Sequence, residues 1–394
     1  MKILLAASYN YGNPFIKESV EGMRLFCDVD TSKEIFLQCQ NNGYDVLHLQ
    51  WPEYYCQINK ITKKSIKDFE NKLIYWKKHT KIVFTRHNIL PHMFDNLIKS
   101  KKNLVNDLYR LFYEYCDGVI HLGEYSLNNY PEYYKNKSLH CIIPHGMYKS
   151  YLKSKSKNEC RNELDIDHNK KVILVFGRVR KFAELKLILK TLNKLPKEYI
   201  VLCPGLKYIT TIHKYRNRLK NLLKFVKGII FLPIRGFTGI QVLHNIYSAN
   251  QWLIGYKMID KMNSVNRRFY WGTSFINDDD IQLYFMSANV VFIPRKGVLN
   301  SGVIPLAFYY SLPVVAPNCG NVTELISSSN NYIYEEGKSI KAKVAIEKCF
   351  NNRPILIGEN NYQFGIKYLN WEHLGGLHFN FYKKLLFPGE IENF

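Results

Sequence analysis

Short bursts of aliphatic and β-branched residues alternate with helix-length amphipathic stretches along most of this chain. Residues 2–7, 46–49, 81–85, 118–122 and 139–143 are bursts of this kind, and 65–78 and 103–115 are amphipathic segments lying between them. A parallel strand is buried on both faces and needs a helical crossover to reach the next one, so the alternation predicts a parallel sheet wound with helices rather than hairpins or a bundle. The pattern then begins again, with bursts at 172–176, 199–203, 228–232, 290–293 and 314–315 and helical stretches such as 185–195 and 281–287. Two such halves make an α/β protein of two doubly wound, Rossmann-like domains facing a central cleft.

Length supports the division. A chain of 394 residues outgrows one compact core, and 46% hydrophobic and 14% aromatic content is enough to fill two. The polar stretch 150–171, containing SKSKN, reads as the linker between an N-terminal domain over 1–155 and a C-terminal domain over 170–365. Residues 366–394 carry Tyr368, Trp371, Phe379, Phe381 and Tyr382 and are expected to form a helical tail that packs back on the domains. The nine cysteines are odd in number and contain no C-x-x-C pair, which argues against a disulfide framework and a zinc site. No apolar run is long enough to span a bilayer, and MKILLAAS reads as a first strand rather than a signal peptide, so a cytoplasmic location is expected.

Charge points to an anionic partner. The formal net charge is +22, and no Asp or Glu occurs from Tyr199 to Ile259. Nucleic acid, an anionic membrane leaflet and phosphorylated small molecules all fit such a surface, and a Lys/Asn-rich composition bias accounts for part of it. Nucleic acid is disfavoured because no recognition helix or paired aromatic motif accompanies the charge.

Ligands of doubly wound sheets bind where the strands end, so the residues following each burst are the candidates. TRHNILPH (85–92) places His87, and further on His92, after the third burst, where an imidazole can do acid–base work or cap the next helix. IPHGMY places His145 and Gly146 after the last burst of the first half. FGRVRK follows the first burst of the second half: Gly177 permits close approach, and Arg178, Arg180 and Lys181 offer donors to phosphate oxygens. Basic residues at a helix start oppose the helix dipole and call for an anion. The run GVLNSGVIPLAFYYSLPVVAP opens a helix with Asn300, Ser301 and Gly302, small residues whose unpaired N–H groups suit either an ordinary cap or a phosphate.

Taken in order, HLQWPE, TRHNILPH, IPHGMY, FGRVR, FINDDDIQLYFMSANVVFIP and NSGVIPLAFYYSLPVVAPNCGNVTEL resemble a bacterial glycosyltransferase of the GT-B fold, in the broad family 4-like group (glycosyl transferases group 1). The resemblance spans nearly the whole chain. It implies transfer of a sugar from a UDP- or GDP-linked donor to a lipid-linked saccharide in surface polysaccharide synthesis, with no cofactor. It places His87 beside the donor sugar as the catalytic group, with Gly12, His92, His145 and Gly146 on the substrate side. Gly177, Arg178, Arg180, Lys181, Asn300, Ser301 and Gly302 would hold the donor diphosphate, and Glu324 the ribose hydroxyls.

The sequence departs from that family twice. Val298 and Leu306 stand where many members carry two glutamates, and Ala183 where a donor-binding Lys is common, with Lys181 close enough to substitute. An epimerase or a phosphorylase on the same fold, or a degenerate member, therefore stays open. No metal site is expected: Asp278, Asp279 and Asp280 precede a helix and read as N-cap and first-turn acids. Two basic segments, 213–228 and 65–81, are candidates for docking on an anionic leaflet; the apolar positions of 213–228 equally suit packing against the second sheet, and 65–81, in the presumed acceptor half, is the more logical docking face.

Overall fold

The computed structural model describes residues 1–9, 14–91, 94, 97, 99–206, 239–274, 276–327 and 331–389. Among these, twelve strands form two six-stranded sheets, every pairing parallel. The first sheet has the order β2-β1-β3-β4-β5-β6, from β1 (Lys2–Leu5), β2 (Asp28–Thr31), β3 (Val46–Leu49), β4 (Lys81–Arg86), β5 (Gly118–His121) and β6 (Leu139–Ile142). The second has the order β12-β11-β10-β7-β8-β9, from β7 (Lys171–Leu174), β8 (Tyr199–Cys203), β9 (Phe269–Trp271), β10 (Val290–Phe292), β11 (Val314–Pro317) and β12 (Tyr332–Tyr334). In each sheet the first strand of that half is flanked on one side by the next strand and on the other by a later one. That reversal opens a crevice at the strands' carboxyl ends.

Three strands escape the sequence pattern, and all three lie at sheet edges. DVDT, FYW and YIY form β2, β9 and β12. An edge strand has one neighbour and need not be apolar on both faces. The expected burst at 228–232 and the basic segment 213–228 lie outside the described residues.

The polar stretch 150–171 is not an open linker. Ser156 accepts from the Glu159 backbone N–H, Glu159 reciprocates at the Ser156 N–H, and this capping box starts the Lys157–Glu163 helix. The helix is pinned by Arg161, whose buried guanidinium donates to the Ser287 and His168 carbonyls and to Asn289 Oδ1. At the C-terminal end the Pro354–Tyr368 helix lies against the Val303–Tyr309 helix, and the Trp371–Leu386 helix returns to the first sheet's half. It crosses the Pro14–Arg24 helix so closely that neither Gly22 nor Gly375 has room for a Cβ. Phe381 and Leu385 fill the space over Gly118, and Tyr382 is wholly buried.

No helix among the described residues is long and apolar enough to cross a membrane. Three of the lysines expected to form a basic docking face on 65–81 are tied into the protein instead: Lys72 donates to the Leu37 carbonyl, and Lys77 and Lys81 pair with Asp117 at 2.9 and 3.8 Å.

Candidate functional site

The two sheets' halves enclose a cavity of about 1,130 Å³, lined from both sides. This is above the usual size of a small-molecule site, and it leaves room for two substrates. The first half contributes an aromatic and imidazole wall, the second a basic floor.

On the wall, Phe15 is the hub. Its ring meets His87 edge-on at 5.0 Å, His145 at 4.8 Å, Trp51 at 6.0 Å and Trp371 at 5.5 Å. His87 also stacks on Trp51 at 4.2 Å and 21°. Only 7% of His87 is exposed, and burial, then the neighbouring His145, holds its pKa well below the ordinary histidine range. His145 lies beneath the same ring cluster, and burial lowers it to about 4. Its Nδ1–H donates to the Gly146 carbonyl at 2.9 Å, so Nε2 is an acceptor facing the Tyr148 hydroxyl at 3.3 Å. Both imidazoles are therefore neutral at pH 7, suited to donating and accepting hydrogen bonds rather than to cationic work.

On the floor, Gly177 takes φ +79°, a left-handed turn that carries the chain from β7 to Arg178, Arg180 and Lys181. These three side chains line the cavity and are exposed in it. Loss of hydration, then the charge of Arg295, lowers the Arg180 pKa. Arg295, three residues beyond the end of β10, stands after a strand as Arg178 does and also lines the cavity. Its guanidinium donates to the Arg178 carbonyl at 2.7 Å and pairs with the Glu184 carboxylate at 3.2 Å. Glu184 itself is 5% exposed and accepts from the Arg180 and Lys181 backbone N–H groups. The expectation that basic residues at this helix start need an outside anion is thus corrected in part: Glu184, in the first turn of the Phe182–Leu192 helix, supplies one negative charge from within.

The other two carboxylates of the cavity are also engaged. Glu336 accepts from the Gly297 N–H at 3.3 Å. Glu324 reaches across the cleft and accepts from the backbone N–H groups of Glu124 and Tyr125 at 2.7 and 2.6 Å, at the start of the Glu124–Asn128 helix. Five cations, Arg178, Arg180, Lys181, Arg295 and Lys296, stand in the lining against the three carboxylates Glu184, Glu324 and Glu336, so the cavity carries a net positive charge.

Asn300, Ser301 and Gly302 sit together at the start of the Val303–Tyr309 helix, in the cavity lining. Among the described residues the N–H groups of Ser301, Gly302 and Val303 meet no acceptor. The Asn300 side chain instead ties the two halves together. Its amide donates to the His87 carbonyl at 2.7 Å and its oxygen accepts from Asn321, which in turn accepts from the Ser126 N–H. A Cβ on Gly302 would lie 3.1 Å from the Tyr148 hydroxyl and 3.3 Å from His145 Nε2, so glycine lets the helix start approach the wall.

One expectation changes here. Gly146 does not line the cavity; the Trp371 indole occupies the place of its absent Cβ, which makes it a packing glycine. Gly12 and His92 lie outside the described residues. Asp278 to Asp280 form a 3₁₀ turn in which Asp280 takes the N-cap position of the Ile281–Ser287 helix without a side-chain cap bond. Among the described residues no group of three His, Cys, Asp or Glu is placed to share a metal ion.

No protein-family model matches the sequence, and none of the curated proteins does. Solved structures match at the level of fold. HepE of Anabaena in complex with UDP aligns with a TM-score of 0.61 at 14% identity, over 96% of this chain and 98% of that one. Sucrose-phosphate synthase from Thermosynechococcus elongatus aligns with a TM-score of 0.62 at 12% identity, over 98% of both chains. A glycosyltransferase from Rickettsia africae aligns with a TM-score of 0.56 at 15% identity, over 96% of this chain and 84% of that one. With two parallel, doubly wound sheets facing one cleft, this chain has the GT-B fold.

Proposed function

We propose that the chain is a glycosyltransferase of the family 4-like kind, moving a sugar from a UDP- or GDP-linked donor to a hydroxyl of a lipid-linked saccharide in surface polysaccharide synthesis. The observation that carries this reading is the basic floor opposite the histidine wall: Arg178 and Arg180 beside the helix start at Ser301 and Gly302, with His87 and His145 across the same cavity. Leaving-group departure from a nucleotide sugar builds negative charge on a diphosphate. Fixed guanidinium groups and free N–H groups stabilise that charge without reorganising, and without a metal. In this reading the acceptor-side domain is 1–155, the donor-side domain 170–365, and 366–394 the tail. His87 is the catalytic group and works neutral, through one ring nitrogen as donor and the other as acceptor.

The likeness to HepE, described as bound to UDP and to UDP-glucose, supports a nucleotide sugar as the donor. A thermal-shift panel of UDP, GDP, dTDP, ADP and CMP, followed by a product assay with the matching radiolabelled sugar nucleotides, tests the reading. A stabilising diphosphate with labelled sugar appearing on an acceptor supports it. Isomerised nucleotide sugar with no acceptor consumed would support an epimerase in its place, and no stabilisation by any nucleotide would remove the donor site.

A further inference from the structure

Behind His87 runs a line of buried polar side chains that the cleft itself does not explain. Gln50, His48, Thr85 and Tyr382 are each at most 2% exposed. Groups of this kind give up their hydration when buried and persist only in satisfied networks. Parallel pairing of β3 with β4 sets the line up: His48 lies opposite Val83, and just past the two strands the side chains of Gln50 and His87 meet.

The chemistry of each atom fixes the direction. Gln50 Oε1 is a carbonyl oxygen and only accepts, so His87 Nε2, at 2.7 Å, carries the proton. The Gln50 amide nitrogen only donates, so His48 Nε2, at 3.2 Å, accepts, sharing its lone pair with the Thr85 hydroxyl at 2.7 Å. His48 therefore keeps its proton on Nδ1 and donates it to Tyr382 Oη at 2.7 Å, and the Tyr382 hydroxyl donates to Met23 Sδ at 3.3 Å. From His87 through Gln50 and His48 to Tyr382, each donor points away from the cleft. Turning one member round would set a buried donor against a donor.

We propose that Gln50 is a positioning residue that holds His87 as the Nε2–H tautomer, leaving Nδ1 as the ring's acceptor, and that His48 and Tyr382 hold Gln50 in turn. The inference rests on the glycosyl-transfer reading, in which His87 meets a sugar: a ring locked this way accepts from a sugar hydroxyl through Nδ1. It also makes the Trp371–Leu386 helix, which supplies Tyr382, part of the site's support. Among the described residues no carboxylate joins the line; the titratable groups along it are His87, His48, Tyr382 and His378, whose ring lies 6.0 Å from that of His48, with the Cys27 and Cys141 thiols near Tyr382. On the cleft side His145 shares the Phe15 hub with His87. Arg86, next to His87 in sequence, is turned away to the Ser126 and Asn129 carbonyls.

The test reads the tautomer directly and needs no substrate. Full-length protein carrying 15N-histidine is examined by long-range proton–nitrogen correlation at pH 7.5, with the His87 signals identified by their loss in His87→Ala. The expected wild-type ring has one strongly separated pair of nitrogen shifts, Nε2 protonated. In Gln50→Leu the two shifts move toward each other as both tautomers become populated. Tyr382→Phe, which removes one hydroxyl 334 positions from His48 in sequence, does the same at His48 and to a lesser degree at His87. A wild-type His87 protonated on Nδ1, or shifts that Gln50→Leu leaves in place, overturns the inference, and His87 shifts unmoved by Tyr382→Phe overturn the link to the last helix. These outcomes are independent of the nucleotide panel, whose failure removes the glycosyl-transfer reading and leaves the tautomer as found.

Discussion

Arg295 and Glu184 should behave as one unit, and a double-mutant cycle exposes it. Their 3.2 Å ion pair has side chains 15% and 5% exposed. At an effective dielectric of about 20 the attraction at that separation is about 5 kcal/mol, much of it offset by the hydration both groups lost. Arg295→Met removes the partner and leaves the Glu184 carboxylate buried on two backbone N–H groups. Breaking a buried pair from one side costs about 3–5 kcal/mol, and the two remaining amide bonds bring the expectation down to about 2–4 kcal/mol. For a domain of this size that is a fall in Tm of about 5–15 °C. Glu184→Gln is milder, about 1–2 kcal/mol, because the exposed edge of the Arg295 guanidinium can turn to solvent. The double variant should be less destabilised than the sum by about 1–3 kcal/mol. Glu184→Gln should also tighten UDP binding several-fold, since it deletes a negative charge from the floor. Scanning calorimetry on the four proteins and titration calorimetry with UDP read both effects. An Arg295→Met variant within about 2 °C of wild type, or strictly additive losses, would refute the idea that this pair braces the loop.

The remaining expectations are simpler. Arg180→Ala should weaken nucleotide-diphosphate binding by about 1.5–3 kcal/mol by titration calorimetry with little change in Tm, and unchanged affinity both here and in Arg178→Ala would remove this loop from the donor site. His87→Ala should lower turnover about 100-fold or more while nucleotide affinity holds, and full activity would leave His87 a packing residue. Burial lowers the pKa of His87 and His48 well below the ordinary value and of His145 and His378 to about 4. The unfolded chain then binds more protons between about pH 6.5 and pH 4, so stability is full above that window and is lost as pH falls through it; urea midpoints flat from pH 7 to 4.5 would contradict the buried neutral rings. Vesicle sedimentation should show salt-sensitive binding to anionic lipid that charge reversal within 213–228 reduces more than reversal of Lys72, Lys77 and Lys81, which are tied into the protein.

The sequence makes the centre of each sheet legible and leaves its edges and its long-range partners dark. β3, β4, β7, β8 and β11 are buried on both faces, so most of their residues are apolar and the pattern shows them. The one-sided edge strands β2, β9 and β12 carry no such requirement. The helix inside 150–171 had a readable signal, the Ser156 to Glu159 capping box, which a polar composition hid. Arg295 has the same local signal as Arg178, a cation just past a buried burst, but its partner Glu184 lies 111 positions away and no local pattern shows it. What no local pattern carries is the identity of a partner on another strand. Gln50 beside His87 and Tyr382 beside His48 follow from sheet order and a returning helix.

Glu324 shows how such a partner changes the meaning of a motif. The resemblance puts this acid at the ribose, yet its carboxylate is already bound to two N–H groups of the opposite half. The two roles do not compete. Each carboxylate oxygen offers two acceptor directions and spends one on an amide, so both oxygens keep a lone pair for a hydroxyl in the cavity that Glu324 lines. The amides fix the carboxylate's plane in advance, which lowers the entropy that a nucleotide would otherwise give up in orienting it. They also make an acid of the second half depend on the backbone of the first. Gly123, whose absent Cβ would strike both Asn321 and Glu324, is the residue that lets the two halves come that close. Were Glu324 to take the ribose, as the resemblance implies, a carboxylate held from across the cleft would bind it best with the halves together, and nucleotide affinity and domain approach would favour one another through a single side chain.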